Sequence, residues 1–244
     1  MVRAMTIYAI GDIHGQFDML RAAHDRVEAD RAREGTVTAP LVHVGDLVDR
    51  GPDSAGVVDL LARLAREDAR IVVVRGNHDA MFAEFLAERP GRWSVAHYLS
   101  GNIGGKETLR SYGVDPGGTA RAAHDAAVKA VPDAHRKFLA EMPLTHLAGD
   151  CVFVHAGIRP GLPLEEQQEN DLLWIRESFL LDTRDHGPLV VHGHTPVASV
   201  EHHGNRLNID TGAAWGGEVT AVAIEARDAF VLTDTGRVQV PRLR

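Results

Sequence analysis

Short apolar runs that end in glycine-flanked polar loops recur along this 244-residue chain, and they constrain its fold more than any other feature. The first run, TIYAI at 6–10, leads directly into GDIHG, and the second, LVHV at 41–44, leads into GDLVDRG. Runs of this length and composition predict buried strands, as does IVVV at 71–74. Amphipathic stretches predict helices over Phe17–Arg33 and Ser54–Arg66. Strands that alternate with helices predict an α/β fold with a largely parallel sheet.

The strand pattern stops from about Met81 to Leu147, where the sequence predicts helices and loops. This region has too few large apolar residues for a core of its own, so we expect a helical insertion or cap within one domain spanning 1–244. Strands resume with CVFV, LVVH and RLNID. The C-terminal third predicts antiparallel strands joined by tight turns.

Five predicted strands are each followed by a loop that carries carboxylate, imidazole or amide side chains. The loops are GDIHG, GDLVDRG, RGNHD, HAG and HGHT. Ligands of α/β sheets bind outside the carboxyl ends of the strands, so we expect all five loops at the same edge of one sheet. A single loop of this kind would be weak support for a site, whereas five in order are hard to explain by coincidence.

The side chains of these loops suit divalent metal ions. Carboxylates, imidazoles and an amide without any thiolate favour Mn, Fe, Zn or Mg. Two such ions about 3.5–4 Å apart need a bridging carboxylate, and pairs of this kind serve in-line displacement at phosphorus. The single cysteine, Cys151, fits a small core residue and a reducing cytoplasm.

GDIHG, GDLVDRG, GNHD, HAG and GHT, in this order, resemble the motifs of the calcineurin-like metallophosphoesterase superfamily. The DRG form resembles its phosphoprotein phosphatase branch, especially small bacterial and phage enzymes. NIGGKETLRSYG, LLWIRE and NIDTGAAWGG are also similar to segments of the bacterial members. The resemblance spans Gly11 to Thr195 and implies a central mixed β-sandwich flanked by helices. It also implies two divalent ions, with Mn preferred and Fe, Zn, Mg, Ni or Co as alternatives.

The resemblance assigns roles to individual positions. The implied metal ligands are Asp12 and His14 on one ion, Asp46 as the bridge, and Asn77, His155 and His194 on the other. His78 would protonate the leaving group, and Asp49 would orient and charge that imidazole. Arg50 and Arg176, together with Asn77, would contact the phosphoryl oxygens, where a guanidinium fork suits phosphate geometry.

Several residues near these motifs have two readings. Arg159 is either a further phosphate contact or a surface charge, and Asp210 either bonds a ligand histidine or forms an Asx turn. His192 would point away from the site if its strand continues. Asp79 is best explained as a charge at a helix N-terminus.

The leading functional prediction is a serine/threonine protein phosphatase, with dual specificity left open. The alternative is a symmetrical diadenosine tetraphosphate hydrolase or another phosphoesterase that acts on small molecules. The second loop of the tetraphosphate hydrolases typically reads VARG, so the presence of Asp49 in VDRG favours the phosphatase and a phosphorylated protein as substrate. A non-catalytic scaffold is disfavoured because every ligand position is filled. The formal charge of −8 argues against a nuclease or other nucleic-acid partner, and no apolar run approaches the ~20 residues that span a bilayer. The natural substrate, the resident metals and the oligomeric state do not follow from the sequence.

Overall fold

The computed structural model describes residues 5–87 and 94–243. Its strands are β1 Thr6–Ile10, β2 Leu41–His43, β3 Ile71–Val73, β4 Thr145–Ala148, β5 Cys151–Val154, β6 Leu189–His192, β7 Glu201–His202, β8 Arg206–Asn208, β9 Ala221–Glu225, β10 Asp228–Thr233 and β11 Gly236–Gln239. Its helices are α1 Phe17–Glu34, α2 Ser54–Glu67, α3 Asn77–Leu86, α4 Val95–Tyr98, α5 Gly105–Ser111, α6 Ala120–Ala130, α7 Asp133–Glu141, α8 Glu169–Trp174 and α9 Glu177–Leu180. The ends predicted for α1, α2 and β3 agree with the structure to within one residue.

The strands form two mixed sheets, in the orders β11-β10-β9-β1-β2-β3 and β4-β5-β6-β8-β7. Strands β1, β2 and β3 run parallel, as do β5, β6 and β8. The C-terminal strands β9, β10 and β11 pair antiparallel, as predicted. The expectation of one sheet edge is wrong, because the first three polar loops follow strands of one sheet and the last two follow strands of the other. Local hydrophobic patterns do not record the point at which a chain leaves one sheet and begins another.

The two sheets pack face to face, and the period of two along each strand decides which side chains enter that interface. In β1, Ile7 and Ala9 pack against the second sheet, whereas Tyr8 and Ile10 pack under the helices. Phe153 of β5 belongs to the interface between the sheets. Each fully buried side chain of this size contributes about 1.5–3 kcal/mol relative to exposure. The predicted mixed sandwich flanked by helices is confirmed.

Helices cover the outer face of each sheet. Leu20 of α1 and Val57 of α2 pack on the first sheet, and Leu172 of α8 and Phe179 of α9 pack on the second. Buried Cys151 is a core residue between the sheets, as predicted. Among the described residues, no helix combines the length and the apolar character needed to cross a bilayer.

The region predicted to be a helical insertion contains α4 to α7 and most of α3. Strand β4 begins at Thr145, inside the range that was expected to lack strands, because its half-exposed THLA sequence carries no continuous apolar run. The part of the predicted helical stretch at 88–93 lies outside the described residues. That the region forms a separate insertion within a single domain remains a prediction.

Candidate active site

The polar loops of the two sheets meet at one place, where side-chain atoms able to bind metal converge. One group consists of His14, Asp46 and His78, and a second consists of Asp46, His155 and His194. Within each group one ligand atom from each residue lies within 4.8 Å of the others, and all of the residues are buried. Asp46 belongs to both groups, which is the position expected of a bridging carboxylate.

The backbone at this place is strained. His14, Asp46, Asp49, Arg50 and His194 all have positive φ, at 48°, 52°, 75°, 70° and 67°. Positive φ is uncommon outside glycine and costs on the order of 1 kcal/mol or more per residue. The strain is therefore concentrated on residues that were predicted to do chemistry, and packing around the loops must hold it in place.

Glycines allow these loops to approach one another closely. A Cβ on Gly193 would lie 1.9 Å from Oδ1 of Asp12, and a Cβ on Gly51 would lie 1.9 Å from the carbonyl oxygen of His14. Both distances are far below van der Waals contact. The glycines of GDLVDRG and HGHT are thus required by contacts between loops, in addition to any turn that they form.

Asp79 ties two of the loops together at the start of α3. Its Oδ2 accepts the Gly76 amide at 2.9 Å, and its Oδ1 accepts the Leu47 amide at 2.9 Å. The predicted position of Asp79 at a helix N-terminus is confirmed. Burial, followed by the charge of Asp46, raises the pKa of Asp79 to about 7.

The second group has the chemistry of a cation site. His155 donates from Nδ1 to the Val44 carbonyl at 2.9 Å, and burial lowers the pKa of His155, so the neutral ring carries a lone pair on Nε2. That Nε2 lies 3.3 Å from Oδ1 of Asp46 and 2.8 Å from Oδ1 of Asn77. Nδ1 of His194 lies 2.9 Å from the same Asn77 oxygen, and its buried Nε2 has no hydrogen-bond partner among the described residues. Acceptor atoms that face each other in this way fit a divalent ion.

The first group is similar. His14 donates from Nδ1 to the Val48 carbonyl at 3.0 Å, burial lowers its pKa to about 3, and its Nε2 lies 3.4 Å from Oδ2 of Asp46. Asp12 accepts the His194 amide at 3.1 Å but is not in either group of converging atoms. Burial, followed by the charges of Asp210 and Asp46, raises the pKa of Asp12 well above its usual range. Buried carboxylates crowded in this way favour a bound cation, so the residues present fit the predicted pair of ions.

The predicted His78–Asp49 pair is present and buried. His78 donates from Nδ1 to Oδ2 of Asp49 at 2.7 Å. Burial acts to lower the pKa of His78, but the neighbouring carboxylates of Asp46 and Asp49 outweigh it and raise that pKa above its ordinary value. Nη1 of Arg50 donates to Nε2 of His14 at 2.9 Å, and its Nη2 lies 2.9 Å from Nε2 of His78. One guanidinium thus spans the imidazole predicted to be an acid and the one predicted to be a ligand.

These residues open into a cavity of about 250 Å³. Its lining is Asp12, His14, Arg50, Arg176, His194, Pro196, Asp210, Ala214 and Trp215. Arg176 lines this cavity, and its Nη1 lies 3.4 Å from the Thr195 hydroxyl oxygen. The volume is below the range of about 300–1,000 Å³ typical of sites that enclose a whole small molecule. A larger hollow of about 590 Å³ lies against α2 and α7, but its lining includes none of the predicted site residues.

For the residues that had two interpretations, the structure shows which contacts each side chain makes. Arg159 forms a bidentate ion pair with Asp171 at 2.7 and 2.8 Å, so it is a structural charge. His192 is buried against the ring of Phe179, on the outer side of its sheet, as predicted. Asp210 accepts the amide two residues further on at 2.9 Å, which is an Asx turn, and it lines the cavity as well.

Sequence reasoning missed three residues. Tyr98 and Thr108 donate their hydroxyls to Oδ1 of Asp49 at 2.6 and 2.7 Å, and the ring of Trp215 lies 4.9 Å from the guanidinium carbon of Arg50. Thr108 and Trp215 belong to NIGGKETLRSYG and NIDTGAAWGG, whose similarity to bacterial enzymes was the available signal. Nothing in the local pattern singled out Tyr98.

Residues 5–220 match the calcineurin-like phosphoesterase family. The chain belongs to this family. This metallophosphoesterase is 30% identical over 227 residues to serine/threonine-protein phosphatase 1 of Salmonella typhimurium, an alignment that covers 90% of this chain and 92% of the relative. It is 28% identical over 234 residues to the asymmetrical bis(5'-nucleosyl)-tetraphosphatase PrpE of Anoxybacillus flavithermus, covering 87% and 88%. The crystal structure of a cold-active protein-tyrosine phosphatase of Shewanella matches with a TM-score of 0.61 at 16% identity, covering 98% of this chain and 81% of that one.

Membership of the metallophosphoesterase family establishes the class of enzyme. The family uses a dinuclear divalent metal centre, and the two groups joined by Asp46 are its candidate position in this chain. The names of the relatives include both a protein phosphatase and a dinucleoside tetraphosphatase. The family therefore fixes phosphoester hydrolysis and leaves the substrate open.

Proposed function

We propose that this metallophosphoesterase hydrolyses phosphomonoesters on serine and threonine side chains of proteins. The observation that carries the proposal is the buried Asp49–His78 pair, joined at 2.7 Å beside the metal-binding groups. Serine and threonine leave as alkoxides, which are poor leaving groups and need a proton as the bond to phosphorus breaks. When a dinucleoside polyphosphate is cleaved, the leaving group is a nucleoside phosphate, which needs no such proton.

We assign the metal site to the six residues named from the motifs. They are Asp12, His14, Asp46, Asn77, His155 and His194, and we propose Mn as the resident metal. A bound pair of divalent ions supplies a nucleophile from water at neutral pH and neutralises charge on the phosphoryl oxygens. Because Asp46 belongs to both groups, it would be the ligand that the two ions share.

The remaining roles belong to groups around the cavity. Arg50 and Arg176 line it and hold the phosphoryl oxygens, assisted by the Asn77 side chain. In its charged form His78 carries a proton on Nε2, the ring nitrogen that does not contact Asp49, and donates it to the leaving oxygen. Asp49 holds the opposite side of that ring and stabilises its charged form.

Hydrolysis of a dinucleoside tetraphosphate is the second candidate. The PrpE relative is named for the asymmetrical form of that reaction. A relative from Nitrosospira multiformis, 26% identical, is named for the symmetrical form that the sequence predicts as the alternative. The small cavity would admit one phosphoryl group and leave the nucleosides outside. We further propose phosphoproteins as partners, a cytoplasmic location, and no nucleic-acid or membrane partner.

The two candidates are separated by a rate comparison with Mn-loaded enzyme. The substrates are phosphoserine, phosphothreonine and phosphotyrosine peptides of one flanking sequence, together with diadenosine tetraphosphate. We expect kcat/KM to be highest for the phosphoserine and phosphothreonine peptides. Asp49→Asn should slow the peptides more than the dinucleotide, since only the peptides need the proton from His78. Faster cleavage of the dinucleotide by the wild type would select the second candidate, and inactivity with Mn, Mg, Fe, Ni, Co and Zn would exclude both.

A further inference from the structure

The carboxylate of Asp49 is bound on both oxygens by buried donors. Oδ2 accepts Nδ1 of His78 at 2.7 Å, while Oδ1 accepts the hydroxyls of Tyr98 at 2.6 Å and Thr108 at 2.7 Å. The Asp49 amide in turn donates to the Thr108 hydroxyl oxygen at 2.8 Å. Asp49 is therefore fixed in rotation, with one oxygen reserved for the imidazole.

These donors come from the helical region between β3 and β4. Tyr98 is the last residue of α4, and its fully buried ring packs on the ring of Phe85 at 4.7 Å. The loop between α4 and α5 also contacts the next residue of the motif, since the Arg50 amide donates to the Gly104 carbonyl at 3.2 Å. A Cβ on Gly104 would lie 2.4 Å from that amide nitrogen. The region thus holds both members of the Asp49–Arg50 dipeptide in their strained conformation.

We propose that Tyr98 and Thr108 are positioning residues that act through Asp49 to aim His78 at the leaving oxygen. This inference rests on the proposed phosphomonoesterase function. A carboxylate that loses its hydroxyl donors can rotate and carry the imidazole with it, and a misplacement of about 1 Å in a catalytic group costs about 10²-fold in rate. The helical region between β3 and β4 would then serve the proton donor, in addition to any contact with substrate.

The dependence of rate on the leaving group tests this proposal. Tyr98→Phe and Thr108→Val should lower kcat on a phosphoserine peptide by about 10–100-fold. On 2,4-dinitrophenyl phosphate, whose leaving group needs no proton, each should change kcat less than about threefold. Thr108→Ser should restore the peptide rate. In metal-free protein, Tyr98→Phe should also shift the downfield proton resonance of His78 Nδ1–H, which reports the bond to Asp49 directly.

Tyr112→Phe is the matched control, because its hydroxyl bonds Nδ1 of His135 at 3.0 Å in the same region and away from Asp49. It should leave both substrates and the His78 resonance unchanged. Equal losses on both substrates in the Tyr98 and Thr108 variants would overturn the positioning role, as would unchanged peptide rates. A wild-type enzyme inactive on every ester would instead contradict the proposed function.

A second inference concerns Trp215 at the mouth of the cavity. Its side chain is among the most exposed large apolar groups of the described residues, at 69%. It follows Gly212 and precedes Gly216, both left-handed at φ 77° and 89°, so the short turn Ala213–Trp215 projects between two glycines. The Arg50 guanidinium lies 4.9 Å from its ring, which joins the aromatic surface to the phosphate-binding side chain.

We infer that Trp215 stacks on an aromatic ring carried by the substrate beyond its phosphoryl group. The cavity of about 250 Å³ leaves the rest of a substrate outside, next to this ring. A stacked aromatic pair adds about 0.5–1.5 kcal/mol of affinity, or about two- to twelvefold. The ring can belong to an aryl group esterified to the phosphate, or be a nucleobase on a ribose phosphate. Either would be a substrate in addition to the serine and threonine esters of the proposed function, which carry no such ring.

Equilibrium binding to Mn-loaded protein distinguishes these sources. The probes are phenylphosphonate against methylphosphonate, and the non-hydrolysable methylene phosphonate analogue of adenosine monophosphate against that of ribose 5-phosphate, measured by calorimetry. The wild type should prefer the ring-bearing member of at least one pair, about two- to twelvefold, and Trp215→Leu should abolish that preference while still binding methylphosphonate. No preference in either pair, or an equal loss for all four compounds in Trp215→Leu, would overturn the inference. Failure of all four to bind wild type would overturn the phosphate site as well.

Discussion

At the scale of single residues, the site combines common side-chain types with backbone conformations that are uncommon outside glycine. The motifs identify Asp46, Asp49 and Arg50 as chemically active, but nothing in their sequence requires the positive φ that each adopts. That conformation turns three side chains of one short loop toward different partners: the metal groups, the His78 ring, and the cavity. Residue types could therefore be predicted from the sequence, whereas their directions could not.

His78 is the residue whose role the geometry leaves most sharply testable, because its ring lies among the candidate ligand atoms as well as beside Asp49. Loss of a general acid lowers rate by about 10²–10⁴-fold. We expect His78→Asn to do so on a phosphoserine peptide while the Mn content, measured by elemental analysis, stays at the wild-type level. A variant that loses Mn would show that His78 is a metal ligand.

Arg159 and Arg176 both follow the HAG motif in the sequence, but their side chains have different surroundings. Arg176 lines the cavity, whereas Arg159 is bound to Asp171. A charged hydrogen bond contributes about 1.5–3 kcal/mol, so Arg176→Ala should lower kcat/KM about 10–100-fold, mainly through KM. Arg159→Ala is the control and should keep wild-type kinetics. Similar losses in both variants would mean that the assignment of Arg176 to the phosphate is wrong.

At the scale of helices and strands, the sequence predicts structure that depends on local periodicity and misses contacts between distant segments. The helices Phe17–Glu34 and Ser54–Glu67 follow from their own periodicity and were placed to within one residue. The division of the strands between two sheets depends on contacts far apart in the chain, so periodicity could not reveal it. The bond from Tyr98 to Asp49 spans 49 residues and was invisible for the same reason.

The meeting of the two sheets depends on glycine at the end of β6. Because a Cβ on Gly193 would lie 1.9 Å from Asp12, Gly193→Ala should displace that carboxylate and the adjacent His194 loop. We expect Mn affinity to fall at least about tenfold, measured by titration calorimetry, since a displaced ligand loses its geometry. Gly101→Ala, with no atom within 4 Å of its Cβ, should leave Mn affinity unchanged. Equal Mn affinity in the two variants would contradict the required close approach.

At the scale of the whole molecule, buried histidines make stability depend on pH. Nε2 of His24 and Nε2 of His43 lie 2.9 Å apart between α1 and β2. Burial lowers the pKa of His24 to about 4 and that of His43 well below its ordinary value, so both stay neutral in the folded protein. The unfolded chain protonates them as pH falls below about 6.5, and the free energy of unfolding therefore decreases, by up to about 1.4 kcal/mol per pH unit for each histidine.

Thermal unfolding with EDTA at pH 7.5, 6.0 and 5.0 would measure this effect without bound metal. We expect Tm to fall as pH decreases, and His43→Leu to make the fall shallower by removing one proton-binding site. Between pH 8 and 9 the two proteins should show the same slope, since neither state binds an appreciable number of protons on these rings there. A wild-type slope in His43→Leu below pH 6.5 would show that other groups control the acid response.

The arrival of the ligand loops from two separate sheets has a consequence for how the molecule opens. Ligand residues from the loops of the two sheets face each other in the metal-binding groups. An ion held there would hold the two sheets together at this edge of the sandwich. By mass action, a higher metal concentration then stabilises the closed sandwich against opening, because only the closed sandwich assembles the complete ligand set. When Mn is added, amide protons in β1 and in β6 should therefore exchange with solvent more slowly, and the two strands should respond together.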